Sequence, residues 1–411
     1  MKILVILPRF PFPLEKGDKL RAYHQIRVLS LQNQVSLFAL SHKRVSQDAL
    51  AEMRKYCNEI HVVKLPRIFA ACNVIRNFFG TRSLQIGYWD SKKARKQYKQ
   101  FEARVNPDVL YAQMVRTMIY PAHSPRPKVL DFQDALSMNI ERRMSKYRGL
   151  HYFALHYEFK MLRSAEYNAC GIFDALTIIS ESDANAVPQH KDTSIQVVRN
   201  GVDFDYFTPT SPHSNIQTST HSNIQTIVFG GNMQYAQNID AVRFLVNDIM
   251  PHVWNTFPDA RVVIAGATPK PSVRKLQNPR VIVTGSVDDI RPYYAQSDLF
   301  VAPMRLGSGL QNKILEAMAM HIPCVTTSLA NDTIGANPGE EILIADNAQE
   351  IANHIVTLLS NEALRNQIAD KAMDFVHSHF SWEATGEQLQ AILHNAVITH
   401  HDHEEVQLED E

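Results

Sequence analysis

Lys313 and Glu316 lie three residues apart in RLGSGLQNKILEAMAMHIP, residues 305–323. The stretch opens with Gly307 and Gly309, then takes on helical spacing. Leu310, Ile314, Ala317 and Met318 form one apolar face, and Gly309, Asn312, Lys313 and Glu316 fall on a second, polar one. A glycine-rich loop feeding a helix presents free N–H groups and the positive end of the helix dipole, which suits a phosphate. Lys313, one turn in, adds a full positive charge. Glu316 would sit about 10 Å along the axis from Gly309, far enough to accept hydrogen bonds from the ribose of the same nucleotide. The plainer alternative is an amphipathic helix with a solvated polar face. The strand-like LFVAP before the stretch (299–303) favours the ligand reading, because ligands of open α/β sheets sit at carboxyl ends of strands.

A second pair of groups lies in VLDFQDALS. Asp131 and Asp134 stand at and just after a strand end, where a carboxylate can act on an acceptor hydroxyl or serve a turn or N-cap. Asp131, Asp134, Lys313 and Glu316 are therefore the candidate catalytic residues. Asp203-Phe204-Asp205 is a D-x-D pattern, but it follows an Asn-Gly turn and reads as structural. No metal and no cofactor are expected.

The elements that must position these residues alternate. Strands are expected at Ile3–Leu7, Gln34–Leu40, Glu59–Lys64, Val109–Ala112, Lys128–Asp131 and Ala175–Ile179, with helices between. A second series begins at Thr226 and continues at Ala260–Ala265, Val281–Thr284, Leu299–Ala302, Cys324–Thr327 and Ile342–Ala345. One long helix is expected from about Asn238 to Phe257. Such alternation builds doubly wound parallel sheets. HSNIQT occurs at 213–218 and again at 221–226, a polar duplication that reads as linker. The expected division is a first domain over 1–205, a linker over 206–226 and a second domain over 227–376. A closing helix over 377–400 packs back on the first domain, and an acidic disordered tail covers 401–411.

The chain has 411 residues, 45% hydrophobic and 20% charged, with zero net charge. The length argues for two domains. Residues 1–200 hold 31 Lys+Arg against 17 Asp+Glu, a balance of +14, and the remaining residues carry −14. A basic first half suits an anionic surface such as a membrane, or attraction between the halves. Residues 67–104 are basic and aromatic, fitting either shallow membrane contact or core packing. Cys57, Cys72, Cys170 and Cys324 are scattered without CxxC spacing and read as buried thiols in a reducing compartment. The N-terminus reads as a first strand rather than a signal peptide. No run of eighteen apolar residues occurs, so no spanning helix is expected. The expected location is cytoplasmic, with peripheral contact at the inner membrane face.

NGVDFDYFTP, TGSVDDIRPYYAQSDLFVAP, ILEAMAMHIP and the closing FSWE occur in that order. Together they resemble the family-4 retaining glycosyltransferases, which have the GT-B fold of two Rossmann-like domains. RFPFPLEKGDKLRAYHQIR, Asn232 to Asn238 and GLQNKILEAMA resemble one branch, the sugar transferases of PEP-CTERM/exosortase exopolysaccharide loci. The resemblance covers nearly the whole chain except linker and tail. It implies that Glu316 holds the nucleotide ribose and that Val287 contacts the base through its backbone. Gly309 and Leu310 would donate to the diphosphate, and Gly17 would approach the sugar phosphates. Two departures from the family pattern stand out. Ser308 stands where the signature's first glutamate would be, and the Arg and Lys usual after the Gly-Gly turn are missing, with Asn232 and Asn238 nearby. Lys313 and Arg305 are left to neutralise the diphosphate.

The nucleotide-sugar site implied is Gly17, Gly231, Asn232, Val287, Arg305, Gly307, Ser308, Gly309, Leu310, Asn312, Lys313 and Glu316. The expected partners are a nucleotide-sugar donor and a glycan or polyprenyl-linked acceptor, with no nucleic acid. The expected activity is transfer of the sugar to an acceptor hydroxyl in exopolysaccharide assembly. An epimerase or phosphorylase on the same scaffold is an alternative. A non-catalytic scaffold binding nucleotide-sugar or lipid is another.

Overall fold

The computed structural model describes residues 1–14, 16–66, 83–144, 147–191, 193–209, 224–307 and 309–409. The chain divides into two compact units, Met1–Arg199 with Trp382–Glu411, and Asn200–Ser381. The repeated HSNIQT segment lies almost wholly outside the described residues.

The first unit is built on a seven-stranded sheet. Its strands are β1 (Lys2–Leu7), β2 (Gln34–Ser41), β3 (Glu59–Lys64), β4 (Val109–Gln113), β5 (Lys128–Asp131), β6 (Ala175–Ile178) and β7 (Ile195–Val197). Their order is β3-β2-β1-β4-β5-β6-β7, and every pairing is parallel. Ile3 to Leu7 are all buried, as an unbroken apolar run in a sheet covered on both faces requires. Strand β7 has no counterpart in the sequence reading.

The second unit carries a six-stranded sheet of β8 (Thr226–Gly230), β9 (Arg261–Ala265), β10 (Val281–Gly285), β11 (Leu299–Ala302), β12 (Cys324–Thr326) and β13 (Leu343–Ile344). Their order is β10-β9-β8-β11-β12-β13, again parallel throughout. The helix expected over 238–257 is interrupted. Ala236–Phe244 and Met250–Trp254 are α-helical, and Leu245–Ile249 between them is a π turn. Pro251 in the first turn of the second piece has no N–H to give, which is one reason the ladder is irregular there.

The units part at Asn200 and Trp382 rather than at 205 and 377. Val202 N donates to Phe380 O at 2.6 Å, and Val202 bridges to Ser381, tying both segments to the second unit. The D-x-D stretch lies here. Asp203 Oδ1 accepts from Tyr206 N at 3.2 Å, and the Phe204 ring stacks on His377 at 3.8 Å.

Five helices matter below: α1 (Gly17–Leu29), α2 (Leu136–Met144), α3 (Leu150–Ala169), α4 (Asn312–Ala319) and α5 (Trp382–Glu409). Helix α5 packs on α1 and buries Leu389, Ile392, Leu393 and Ala396 in the core beneath β1 and β2. Each such Leu or Ile contributes about 1.5–3 kcal/mol. The backbone stays helical to Glu409, where a disordered tail from 401 was expected. Glu404, Glu405, Gln407, Leu408 and Glu409 in that end favour helix. No helix among the described residues is long and apolar enough to cross a membrane.

Of the basic-aromatic stretch over 67–104, residues 67–82 lie outside the described residues. Trp89, Tyr98 and Phe101 are buried in the first unit's core, so these aromatics pack inward and are not available to a membrane.

Candidate functional site

Strand β8 lies between β9 and β11, so the chain's direction of winding reverses beside it. A crevice opens at the carboxyl ends of strands at such a switch point. Here it is a cleft of about 430 Å³ lined by Gly231, Asn232, Asn238, Gly266, Val287, Tyr294, Leu310, Asn312, Lys313 and Glu316.

Two glycines shape its floor. A Cβ on Gly266, whose φ is +149°, would fall 1.8 Å from the carbonyl oxygen of Gly231. The two loops after β8 and β9 can touch only because that side chain is absent. A Cβ on Gly230 would lie 2.3 Å from Tyr294 Oη, so Gly230 makes room for the buried phenol.

The electrostatics come from α4. Lys313 Nζ donates to Asn238 Oδ1 at 2.5 Å, lies 3.7 Å from Met304 Sδ and sits 4.9 Å from the centre of the Phe229 ring. Burial lowers its pKa to about 7, with Glu316 opposing the shift. Burial likewise raises Glu316 to about 7, offset in part by Lys313. Asn238 Nδ2 donates to Asn232 O at 2.9 Å. Asn312 Oδ1 is buried with no partner among the described residues, an acceptor that a ligand hydroxyl could satisfy. The cap residue Gln311 places no side-chain bond on the first N–H groups of α4, leaving donors for an anion.

The cleft gathers Gly231, Asn232, Val287, Leu310, Asn312, Lys313 and Glu316 from the sequence-derived set. Other members stand elsewhere. Helix α4 begins at Asn312, so Gly309 precedes it and belongs to no helical face. Gly309 O accepts from Gln311 Nε2 at 2.8 Å. Arg305 does not serve the cleft as expected. Its Nε and Nη2 bond Asp240 at 3.0 and 2.9 Å, and its guanidinium covers the Phe244 ring at 4.0 Å. Its charge is already paired. Gly307 packs by Gln237 with φ +103°, off the cleft lining. Ser308 lies outside the described residues.

In the first unit Gly17 opens α1, with open space where a Cβ would project. Asp131 is corrected from a catalytic to a structural role. It is fully buried and takes bonds from Arg21 Nε at 2.7 Å, Arg21 Nη2 at 3.2 Å and Tyr111 Oη at 3.1 Å. A carboxylate so enclosed holds a buried cation and reaches no hydroxyl of a ligand. Asp134 is half-buried. Burial first, then the Asp183 carboxylate, raises its pKa to about 6, while Arg21 and Arg116 oppose.

Tyr294 and Gly266 were missed as site residues. Gly266 directly follows a strand, which was the available signal. Nothing local marks Tyr294, which reaches the cleft from the short helix Arg291–Ala295.

Residues 224–361 match the family model described as Glycosyl transferases group 1. An uncharacterized 44.6 kDa protein in the cps region of Klebsiella pneumoniae is 22% identical over 92% of this chain and 96% of its own length. Sucrose-phosphate synthase from Thermosynechococcus elongatus superposes with a TM-score of 0.69 at 13% identity, covering 97% of this chain and 100% of that one. Anabaena HepE, solved with UDP and glucose, gives 0.66 at 17% identity over 94% and 98%. At these identities the structural likeness establishes the GT-B fold.

Proposed function

We propose that the chain is a glycosyltransferase that moves a sugar from a nucleotide-sugar donor to a hydroxyl of a glycan or lipid-linked acceptor, with retention of configuration. The observation that carries the reading is the Lys313–Glu316 pair lining the crevice beside β8, inside the segment matching the group 1 family. UDP is the first nucleotide to test, because HepE was solved with it. The cps-region relative supports an acceptor in surface polysaccharide assembly.

In this reading Glu316 accepts hydrogen bonds from the ribose hydroxyls. Lys313 and the free N–H groups of α4 face the diphosphate and stabilise the charge that grows as the sugar departs. A retaining reaction of this kind needs no strong protein nucleophile, because the departing phosphate can take the acceptor's proton. In the first unit, Asp134 is assigned to the acceptor hydroxyl. There it would orient the hydroxyl by a hydrogen bond, while the proton passes to the departing phosphate. Activity is expected to survive excess EDTA, since Lys313 supplies the positive charge. Loss of activity restored by Mg²⁺ would contradict that part.

The test has two steps. Thermal shift is measured with nucleoside diphosphates and nucleotide-sugars, where a ligand at 100 times its Kd adds about 2.7 kcal/mol. The ligand found is then supplied, radiolabelled, with a bacterial lipid extract, and the anomeric configuration of the product is read by NMR. A chain that no nucleotide stabilises would refute the proposal. Epimerisation of the donor without acceptor would replace it with the epimerase reading.

A further inference from the structure

Helices α2 and α3 form an antiparallel pair in the first unit. Ser137 N, at the start of α2, donates to Glu166 Oε1, near the end of α3, at 3.0 Å. Helix α3 then leads to the amino end of β6. Its 20 residues span about 30 Å, whereas the four-residue strands β5 and β6 span about 13 Å. The start of α3, the tip of this pair, therefore stands beyond the carboxyl edge of the first sheet. Ligands of open parallel sheets bind at that edge, and Asp134 lies on it.

The tip is apolar where it meets water. Leu150 is 86% exposed and Phe153 68%. These two are three residues apart and share a helix face. Tyr147 and Tyr152 beside them are also exposed, as are Arg143 and Arg148. Over residues 141–153 the only carboxylate in the sequence is Glu141. Protruding apolar ends ringed by guanidinium groups and phenols match an anionic bilayer surface. Leucine and phenylalanine enter the boundary between headgroups and acyl chains, tyrosine sits at headgroup depth, and arginine meets lipid phosphate. A second copy of the same tip would bring like charges together, so charge disfavours self-association through it.

We propose that this tip, the start of α3, docks on an anionic lipid surface, seating Leu150 and Phe153 between headgroups. The purpose of such docking, presenting a lipid-linked acceptor to the carboxyl edge, rests on the glycosyltransferase reading. The docking itself needs neither donor nor acceptor.

The test is flotation of the full chain with vesicles of phosphatidylcholine alone or mixed with phosphatidylglycerol. Binding to the mixed vesicles is expected, weakening as salt rises. Leu150→Ser with Phe153→Ser should weaken it about tenfold or more. Arg143→Gln and Arg148→Gln should each weaken it about fivefold. Thermal shift by UDP, run on every variant, reports the fold and the donor site separately, so either idea can fail alone. A wild-type chain that ignores mixed vesicles, or the serine variant binding as well as wild type, would overturn docking. So would a dimer, seen by light scattering, that the serine variant dissociates.

Discussion

Asn238 holds Lys313. The ammonium donates to its Oδ1 at 2.5 Å across 75 residues of sequence, and Asn238 itself donates to Asn232 O. The turn after β8 is thereby tied to α4. Asparagine orients the Lys313 amine without adding a counter-charge, so a group whose pKa burial lowers to about 7 can take up its proton as an anion arrives. Asn238→Asp would close an ion pair in its place. UDP affinity by calorimetry is expected to fall about tenfold or more, since charge-assisted bonds contribute about 1.5–3 kcal/mol. Equal affinity would show that Lys313 does not meet the phosphates.

Glu316→Gln should weaken UDP binding yet raise the melting temperature of the ligand-free chain at high pH. The sign follows from the shift. The folded pKa of about 7 lies above the ordinary 4.5, so the favourable contribution of the protonated carboxyl is full below about 4.5 and is lost as pH rises through 7. Above that, ionised Glu316 costs up to about 3 kcal/mol, and glutamine carries no such cost. Melting curves at about pH 8 should favour the variant, and curves near pH 4.5 should coincide. A variant less stable at pH 8 would place the carboxylate in a better-solvated setting than the cleft gives it.

Gly230→Ala should damage the cleft through one contact. The new Cβ would meet Tyr294 Oη at 2.3 Å and ring carbons at 3.1 Å. Overpacking of this kind costs about 1–3 kcal/mol. Tyr294→Phe removes the closest atom, so the double variant should recover part of the loss in urea melts. Strict additivity would mean the two residues do not touch.

The strands were legible because parallel strands covered on both faces must be apolar throughout, as Ile3–Leu7 and Leu299–Ala302 are. The apolar face of α4 was legible from Ile314, Ala317 and Met318. Its start was not, because the glycines mark a loop as readily as a helix end, and Asn312 opens the helix instead. Partners far apart in sequence left no local trace. Arg21 claims Asp131 across 110 residues, and Asp240 claims Arg305 across 65. In both cases a charged residue beside a strand end looked free for chemistry, and a distant opposite charge had already taken it.

The closing helix offers the last test. Gly386 lies where α5 crosses α1, and a Cβ there would fall 2.2 Å from Val28 Cγ1 and 2.8 Å from Val28 Cβ. Alanine at this position would gain about 1 kcal/mol of helix propensity. Against that, the backbones would be forced apart along a seam that buries Leu389, Ile392 and Leu393. Overpacking a well-filled core costs about 1–3 kcal/mol, and the clash involves a β-branched side chain with few rotamers to escape into. The clash should win, leaving Gly386→Ala less stable than wild type in urea unfolding. Val28→Ala removes the nearest methyl and should return part of the loss, giving a coupling in the double-mutant cycle. A Gly386→Ala chain more stable than wild type would mean that α5 rides on α1 loosely, with room for a methyl between them.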